Sequence, residues 1–330
     1  MRYKLRLAAA LTRRAPGAPL LVALAAPLFL APAPLLFLAP AALSAQTAGV
    51  LPKVTQLPAS TRAMALGDSY MMDAGHADAI FYHPALLTGA RGFGLDVQRW
   101  AAESSSTAVS GAMQWLGGGI GVGLRTLQYG ADGTDAAAAP AGQDHLFGFG
   151  SVPVSERSAT IGYARGVPFD IDFGVGLSLI DERVGTLRQS VVLFDVSAAR
   201  DVGPVVVAVT VHDLGNKPIL DTGAKPSRVV IGAGNYGQQL GIFDIGYTAT
   251  VGYDDDVVTY GGGLEIGYWP IQGRTFIVRV GFQDVPDGSE ASPVTMGFAF
   301  WGDDITVEWA FRPFSGVDEG GAHRFGVRWR

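Results

Sequence analysis

The chain has 330 residues, 45 of them glycine; 48% are hydrophobic, only 16% are charged, cysteine is absent, and the formal net charge is −6. So much glycine and so little charge do not fit an ordinary soluble enzyme, and without cysteine there is no disulfide framework or thiolate metal site. An acidic chain is also a poor partner for nucleic acid, whose affinity comes from Lys and Arg neutralising phosphates.

The N-terminus reads as an export signal. Arg2, Lys4, Arg6, Arg13 and Arg14 form a basic region, an apolar stretch follows to about Leu43, and Ala42-Leu43-Ser44-Ala45-Gln46 offers small residues for a signal peptidase. Pro27, Pro32, Pro34 and Pro40 interrupt that stretch, which argues against a permanent spanning helix. Residues 1–45 are therefore set apart from the fold, and losing their five basic charges takes the net charge from −6 to −11.

Residues 46–91 carry no strand period, and their alanine and methionine content suggests short helices and loops. Within them LGDSYMMDAGH, residues 66–76, approaches the nucleophile block of GDSL-type esterases. Such an enzyme needs its DxxH near the C-terminus, whereas Asp73 and His76 begin four residues after Ser69. The structural reading is that Gly67 permits a turn and that Asp68 or Ser69 caps a short helix.

From residue 92 the pattern changes to period-two alternation. In IDFGVGLSLI, Ile171, Phe173, Val175, Leu177 and Leu179 share one face, opposite Asp172, Gly174, Gly176 and Ser178. ITVEWAFR sets Ile305, Val307, Trp309 and Phe311 against Thr306, Glu308, Ala310 and Arg312, and similar runs recur, one of them at 144–152. About 14 strands of roughly ten residues result, the length of a tilted membrane-crossing strand.

A soluble sandwich also alternates, but here no segment is left to cover the greasy face. The opposite face carries Arg125, Asp172, Glu265, Arg279, Glu308 and Arg312, which suits a wet lumen. Trp100, Trp115, Tyr129, Tyr253, Tyr268, Trp269 and Trp301 stand near strand ends, where interface girdles belong. His323, Phe325, Val327 and Trp329 alternate to the end, as in the final strand read by the outer-membrane assembly machinery, although Arg330 follows the last aromatic. The expected fold is all-β, a transmembrane antiparallel β-barrel of the outer membrane occupying residues 92–330. A barrel of that strand number encloses more space than its side chains fill, so residues 46–91 are expected to plug it.

TRAMALGDSYMMDAGHADAIFYHPALLTGARG then resembles the N-terminal region of the PorV/PorQ group of outer-membrane proteins, relatives of the FadL-type long-chain fatty-acid transporters. The matching positions are Arg62, Ala63, Gly67, Asp78, Ala79, Tyr82, Pro84, Ala85 and Leu87; His83 stands where that group has asparagine, and Leu86 where it has glycine. TVHDLGNKP (210–218) is similar to the group's turn after a strand, and PSRVVIGAGNY and GLEIGYWPIQGRTFIVRVGFQ to its later strands.

The resemblance implies passive transport of hydrophobic small molecules through the outer membrane, or alternatively a carrier role for exported proteins in a type IX-like secretion system. The expected partners are outer-membrane lipid, a hydrophobic ligand or an exported protein, and the assembly machinery. No cofactor or metal is expected. Arg62, Gly67, Tyr82, His83, Pro84 and Ala85 are the plug-motif candidates. His83 could gate by protonation or hold the plug by a hydrogen bond; Asp254, Asp255 and Asp256 could bind calcium or form a solvated tip; Gly117–Gly119 and Gly261–Gly263 read as strand glycines that let the wall bend or the plug approach.

Overall fold

The computed structural model describes residues 53–70, 75–99, 104–128, 154–184, 187–215, 227–254, 257–271, 274–285, 291–314 and 320–330. Fourteen strands stand among them: β1 (Gly92–Arg99), β2 (Ser105–Trp115), β3 (Gly118–Gln128), β4 (Val154–Val167), β5 (Ile171–Val184), β6 (Leu187–Val202), β7 (Val205–Gly215), β8 (Arg228–Leu240), β9 (Phe243–Asp254), β10 (Val257–Ile271), β11 (Arg274–Gln283), β12 (Val294–Trp301), β13 (Ile305–Pro313) and β14 (Gly321–Trp329). Each pairs antiparallel with its neighbour in sequence, and β1 closes on β14 in a register running from Phe93↔Trp329 to Arg99↔His323. The fold is a closed 14-strand antiparallel barrel, the architecture that crosses membranes without an open edge. The predicted strand at 144–152 lies outside the described residues.

Alternation decides which face is which. On β5, Phe173, Val175, Leu177 and Leu179 are exposed outward while Gly174, Gly176 and Ser178 are buried inward. On β14, Phe325, Val327 and Trp329 face out, and Arg324 and Arg328 are buried inside. An apolar exterior over a polar interior inverts a soluble core and needs lipid to cover it.

The two ends differ. At one, the connections are 116–117, 168–170, 203–204, 241–242, 272–273 and 302–304; at the other they include 129–153, 216–227 and 284–293. Trp115, Tyr253 and Tyr268 are exposed at strand ends, as an interface girdle requires. Trp301 differs: its register points inward, where it lines a cavity with Arg62, and Trp269 packs against it edge-on at 6.4 Å between centroids. These two cap the short-turn mouth, because the strand period gives them the lumen side. Trp100 and Tyr129 lie outside the described residues.

The segment before β1 forms α1 (Lys53–Gln56), α2 (Thr61–Ala65) and two 3-10 helices, Ala77–Phe81 and Pro84–Thr88. Ser60 caps α2 by accepting from Ala63 N at 3.4 Å, and Gly67 and Asp68, at φ 68° and 54°, turn the chain left-handed after it. The expected capping by Asp68 or Ser69 is thus corrected: both follow the C-terminus of α2, where carbonyls rather than N–H groups need partners.

The segment touches every strand. Thr61 meets Asp96 of β1, the Ala90 carbonyl meets Gln114 of β2, and Ile80 and Leu87 cover glycines of β3 and β4. Ala85 covers Gly174 of β5 and bonds Ser197 of β6, His83 bonds Thr210 of β7, and Arg62 stacks on Tyr236 of β8. Ser69 bonds Thr248 of β9, Arg62 bonds Glu265 of β10, and Gly67 packs on Phe282 of β11 and bonds Thr295 of β12. Met64 and Ala65 cluster with Ala310 of β13, and Asp78 pairs with Arg328 of β14. A segment in contact with all fourteen strands lies inside the ring they form.

Candidate functional site

The inner segment meets the wall in two chemically different ways. Toward β1 and β10–β14 the contact carries buried ion pairs, beside close packing of Ala65, Leu66 and Gly67 on Gly297, Gly263 and Gly281. Arg62 grips Glu265 with two nitrogens, at 3.0 and 3.1 Å. Glu265 also accepts from Arg279 Nε at 2.6 Å, and Arg279 Nη1 reaches Glu308 at 2.9 Å. Glu308 is 3.4 Å from Arg328 Nη2, which lies 3.1 Å from Asp78 of the inner segment. Arg328 Nη1 holds Asp96 at 2.8 Å, Asp96 accepts from Thr61 Oγ1 at 2.6 Å, and Arg324 donates to the Ala59 carbonyl at 2.8 Å.

Four arginines thereby face four carboxylates, all with side chains at most 6% exposed. Buried charge on this scale persists only when it is matched and hydrogen-bonded. The strand register makes room for it: Arg279 faces Gly297 on the intervening β12, and Gly326 stands between Glu308 and Asp96. A Cβ at Gly326 would crowd Thr61 Oγ1 at 2.7 Å and Asp96 Oδ1 at 2.8 Å. Burial works to raise the Asp78 carboxyl, but Arg328 with bonds from Ser60 and Tyr70 holds it below the usual carboxylate value.

Toward β3–β5 the contact is apolar and close. Ile80, Pro84, Ala85 and Leu87 lie on a floor of Gly119, Gly121, Gly162, Gly174 and Gly176. A Cβ at Gly119 would collide with the Leu87 carbonyl, and one at Gly174 with the backbone of Ala85. Glycine is needed there for approach, as expected of Gly119, whereas Gly117 lies in the turn between β2 and β3 at φ 76° and Gly118 meets Ala164 and Tyr163 of β4; Gly261 and Gly263 allow the approach of Gly67 and Leu66.

Between these walls stands a histidine pair. His83 Nδ1 bonds Thr210 Oγ1, and its ring lies 6.1 Å from that of His212, whose Nδ1 is 3.3 Å from Asp195. A bulge of β7 against β6 presents these groups, with Asp213 at φ 65° and its N–H on Asp195 at 2.9 Å. Burial, then His212 and Arg228, hold His83 well below the usual histidine pKa, so its neutral form is favoured. Tyr82 stacks on Tyr70 at 4.8 Å; its hydroxyl accepts from Ala59 N and Ser60 N and faces Asp68 at 3.5 Å. Burial pushes the Asp68 carboxyl up to about 6, against the pull of Arg228, Arg312 and Arg324.

Of the predicted lumen residues, Glu265, Arg279 and Glu308 come together in the ionic cluster. The other three stand apart. Arg125 lies over the Phe81 ring at 5.0 Å, Asp172 accepts from Thr88 Oγ1 at 2.8 Å, and Arg312 donates to the Ser292 carbonyl. Sequence reasoning missed Asp96, Arg324 and Arg328 as cluster members, although each alternates with outward apolar neighbours and so carried the same inward signal. Ser69 is fully buried on Thr248, and His76 turns to Arg330 at 3.3 Å, which leaves no serine–histidine contact in the GDSY stretch. Asp73, Asp255 and Asp256 lie outside the described residues.

No protein-family model matches the chain, and no curated protein matches it in sequence. Among solved structures, the chain is similar in fold to the Pseudomonas putida toluene transporter TodX, with a TM-score of 0.50, 10% identity, and coverage of 81% of this chain and 95% of that one. A TodX deletion mutant described as a monoaromatic hydrocarbon channel gives 0.54, 12%, 81% and 97%, and the Ralstonia pickettii toluene transporter TbuX gives 0.52, 12%, 83% and 98%. These likenesses are of fold alone.

Proposed function

We propose that the chain is an outer-membrane channel of FadL-like type that passes apolar small molecules passively. Residues 1–45 serve as its export signal, residues 46–91 as its plug and residues 92–330 as its barrel. The observation that carries this reading is the asymmetry of the inner segment. One side is bound to the wall by matched buried charge; the other rests on a glycine floor through apolar side chains and a few hydrogen bonds. Withdrawal of Ile80, Pro84 and Leu87 would open a space over the glycine floor of β3–β5, while the ionic side keeps the segment tethered. The toluene transporters add support by analogy of fold.

The test is uptake of radiolabelled toluene into vesicles containing the purified barrel, alongside mass spectrometry of the proteins that co-purify from native membranes. Entry faster than into protein-free vesicles supports the channel. No added entry, together with an exported protein recovered in near-equal amount, would instead favour the PorV/PorQ-like carrier.

A further inference from the structure

Arg330, which follows the last aromatic of the chain, lies across the short-turn mouth. It stands one residue past the end of the β14–β13 register at Trp329, and its N–H donates to the Asp304 carbonyl at 3.1 Å. Its guanidinium lies 5.3 Å over the Trp301 ring, and Nη2 is 3.3 Å from His76 Nε2 of the inner segment. These three residues line one cavity with Arg62 and Glu308 of the ionic cluster.

The contact between Arg330 and His76 is one-sided in its chemistry. Arginine has N–H donors and no acceptor, so His76 Nε2 must offer its lone pair, and the imidazole is neutral with its proton on Nδ1. Burial, then Arg330, Arg62, Arg328 and Arg279, hold His76 well below the usual histidine pKa, which favours that same form.

His76 stands at the base of a loop that leaves the mouth and returns to it. It precedes the 3-10 helix Ala77–Phe81, and the Arg91 N–H donates to the Gly75 carbonyl at 3.0 Å, which joins the two ends of residues 75–91. Between those ends, Ile80 and Leu87 rest on Gly121 of β3 and Gly162 of β4. The returning end meets the wall where the Ala90 carbonyl accepts from Gln114 of β2 and Thr88 Oγ1 donates to Asp172 of β5. Gln114 and Asp172 belong to paired strands and move only if a ladder opens. Arg330 lies past the end of its ladder, so it can swing while the wall stays intact.

We propose that Arg330 is the latch of the inner segment: by holding His76 beside Trp301 it keeps residues 75–91 seated on the glycine floor, and its release unseats them. The part of the latch in passage rests on the channel reading; the seating of the loop does not.

The chain has no cysteine, so Ile80→Cys gives the full barrel a single thiol at a position that is fully buried under the seated loop. Its rate of labelling by a charged maleimide is measured in the folded barrel in vesicles, beside toluene entry. R330M removes the donor and the charge and is expected to speed labelling about tenfold, the worth of one charge-assisted bond with its ring contact. R330K keeps a donor and a positive charge and should restore slow labelling. H76A should match R330M, and R330M/H76A should label no faster than either alone. Should R330M fail to give the heat-modifiable gel shift of a folded barrel, H76A is read against H76Q, whose amide oxygen can still accept from Arg330 and should keep labelling slow. Unchanged labelling in R330M and H76A, or a double variant that multiplies the two single effects, would overturn the latch. Fast labelling with toluene entry unchanged would sink the channel reading and leave the latch standing.

Discussion

Arg62 and Glu265 are 203 residues apart in the chain and joined by two hydrogen bonds, at 3.0 and 3.1 Å, between the inner segment and β10. Removing one partner strands a buried charge. Arg62→Ala or Glu265→Ala should each cost about 3–5 kcal/mol, read as a lower temperature for loss of the heat-modifiable gel shift. The pair R62M/E265L should recover much of that loss. An equally low midpoint in the double variant would show that loss of the pair itself, rather than a stranded charge, carries the cost.

His83 is held in its neutral form, so the sign of its pH effect is set. A histidine whose folded pKa is depressed gives stability that is present above its unfolded value, near 6.5, and is lost as pH falls below it. Limited proteolysis of the inner segment should therefore accelerate below about pH 6. His83→Asn should flatten that rise while keeping a bond to Thr210. A variant that steepens it would place the titration elsewhere.

Asp68 acts with the opposite sign. Its folded pKa is raised to about 6, so its contribution is present below the unfolded value near 4 and is lost as pH rises through 6. Asp68→Asn should stabilise the barrel at pH 8 by up to roughly 3 kcal/mol, and the gain should vanish by about pH 4. Stability of wild type and variant measured across that range decides it; a gain that persists at low pH would point to packing rather than charge.

Gly119→Val should displace the helix Pro84–Thr88, because the new Cβ meets the Leu87 carbonyl. The barrel should still form, since the wall strands pair through backbone. Faster toluene entry and easier cleavage within residues 77–88 are expected. Unchanged entry with demonstrated displacement would argue against the apolar side as the path.

Ser69→Ala should lose the bond to Thr248 and cost about 1 kcal/mol, with no change in ester hydrolysis by the purified barrel. A hydrolytic rate that disappears in this variant would restore the esterase reading.

How much of this was legible from sequence differs by residue. The faces of β5, β11, β13 and β14 were readable because a period of two needs only local chemistry: Leu177 and Leu179 alternate with Gly176 and Ser178 whatever surrounds them. Glu265, Arg279 and Glu308 were readable as inward for the same reason. Trp301 was readable in the same way, since it shares the inward face with Thr295, Gly297 and Ala299, but its place at a strand end grouped it with the girdle. Asp68 and Ser69 looked like caps because their residue types are cap formers, while the cap itself, Ser60, was set by where α2 begins.

By itself, then, the sequence determined strand number, alternation, the polarity of the two faces and the break at residue 92. These follow from backbone hydrogen bonding and from the requirement that each face meet a solvent of its own kind. Only the tertiary structure decided that Arg62 meets Glu265, that Asp78 and Asp96 share Arg328, and that Leu87 rests on Gly119. Such partners are fixed by barrel closure and by the path of the inner segment through the lumen, which bring together residues up to 268 positions apart, and no local period encodes a distance of that kind.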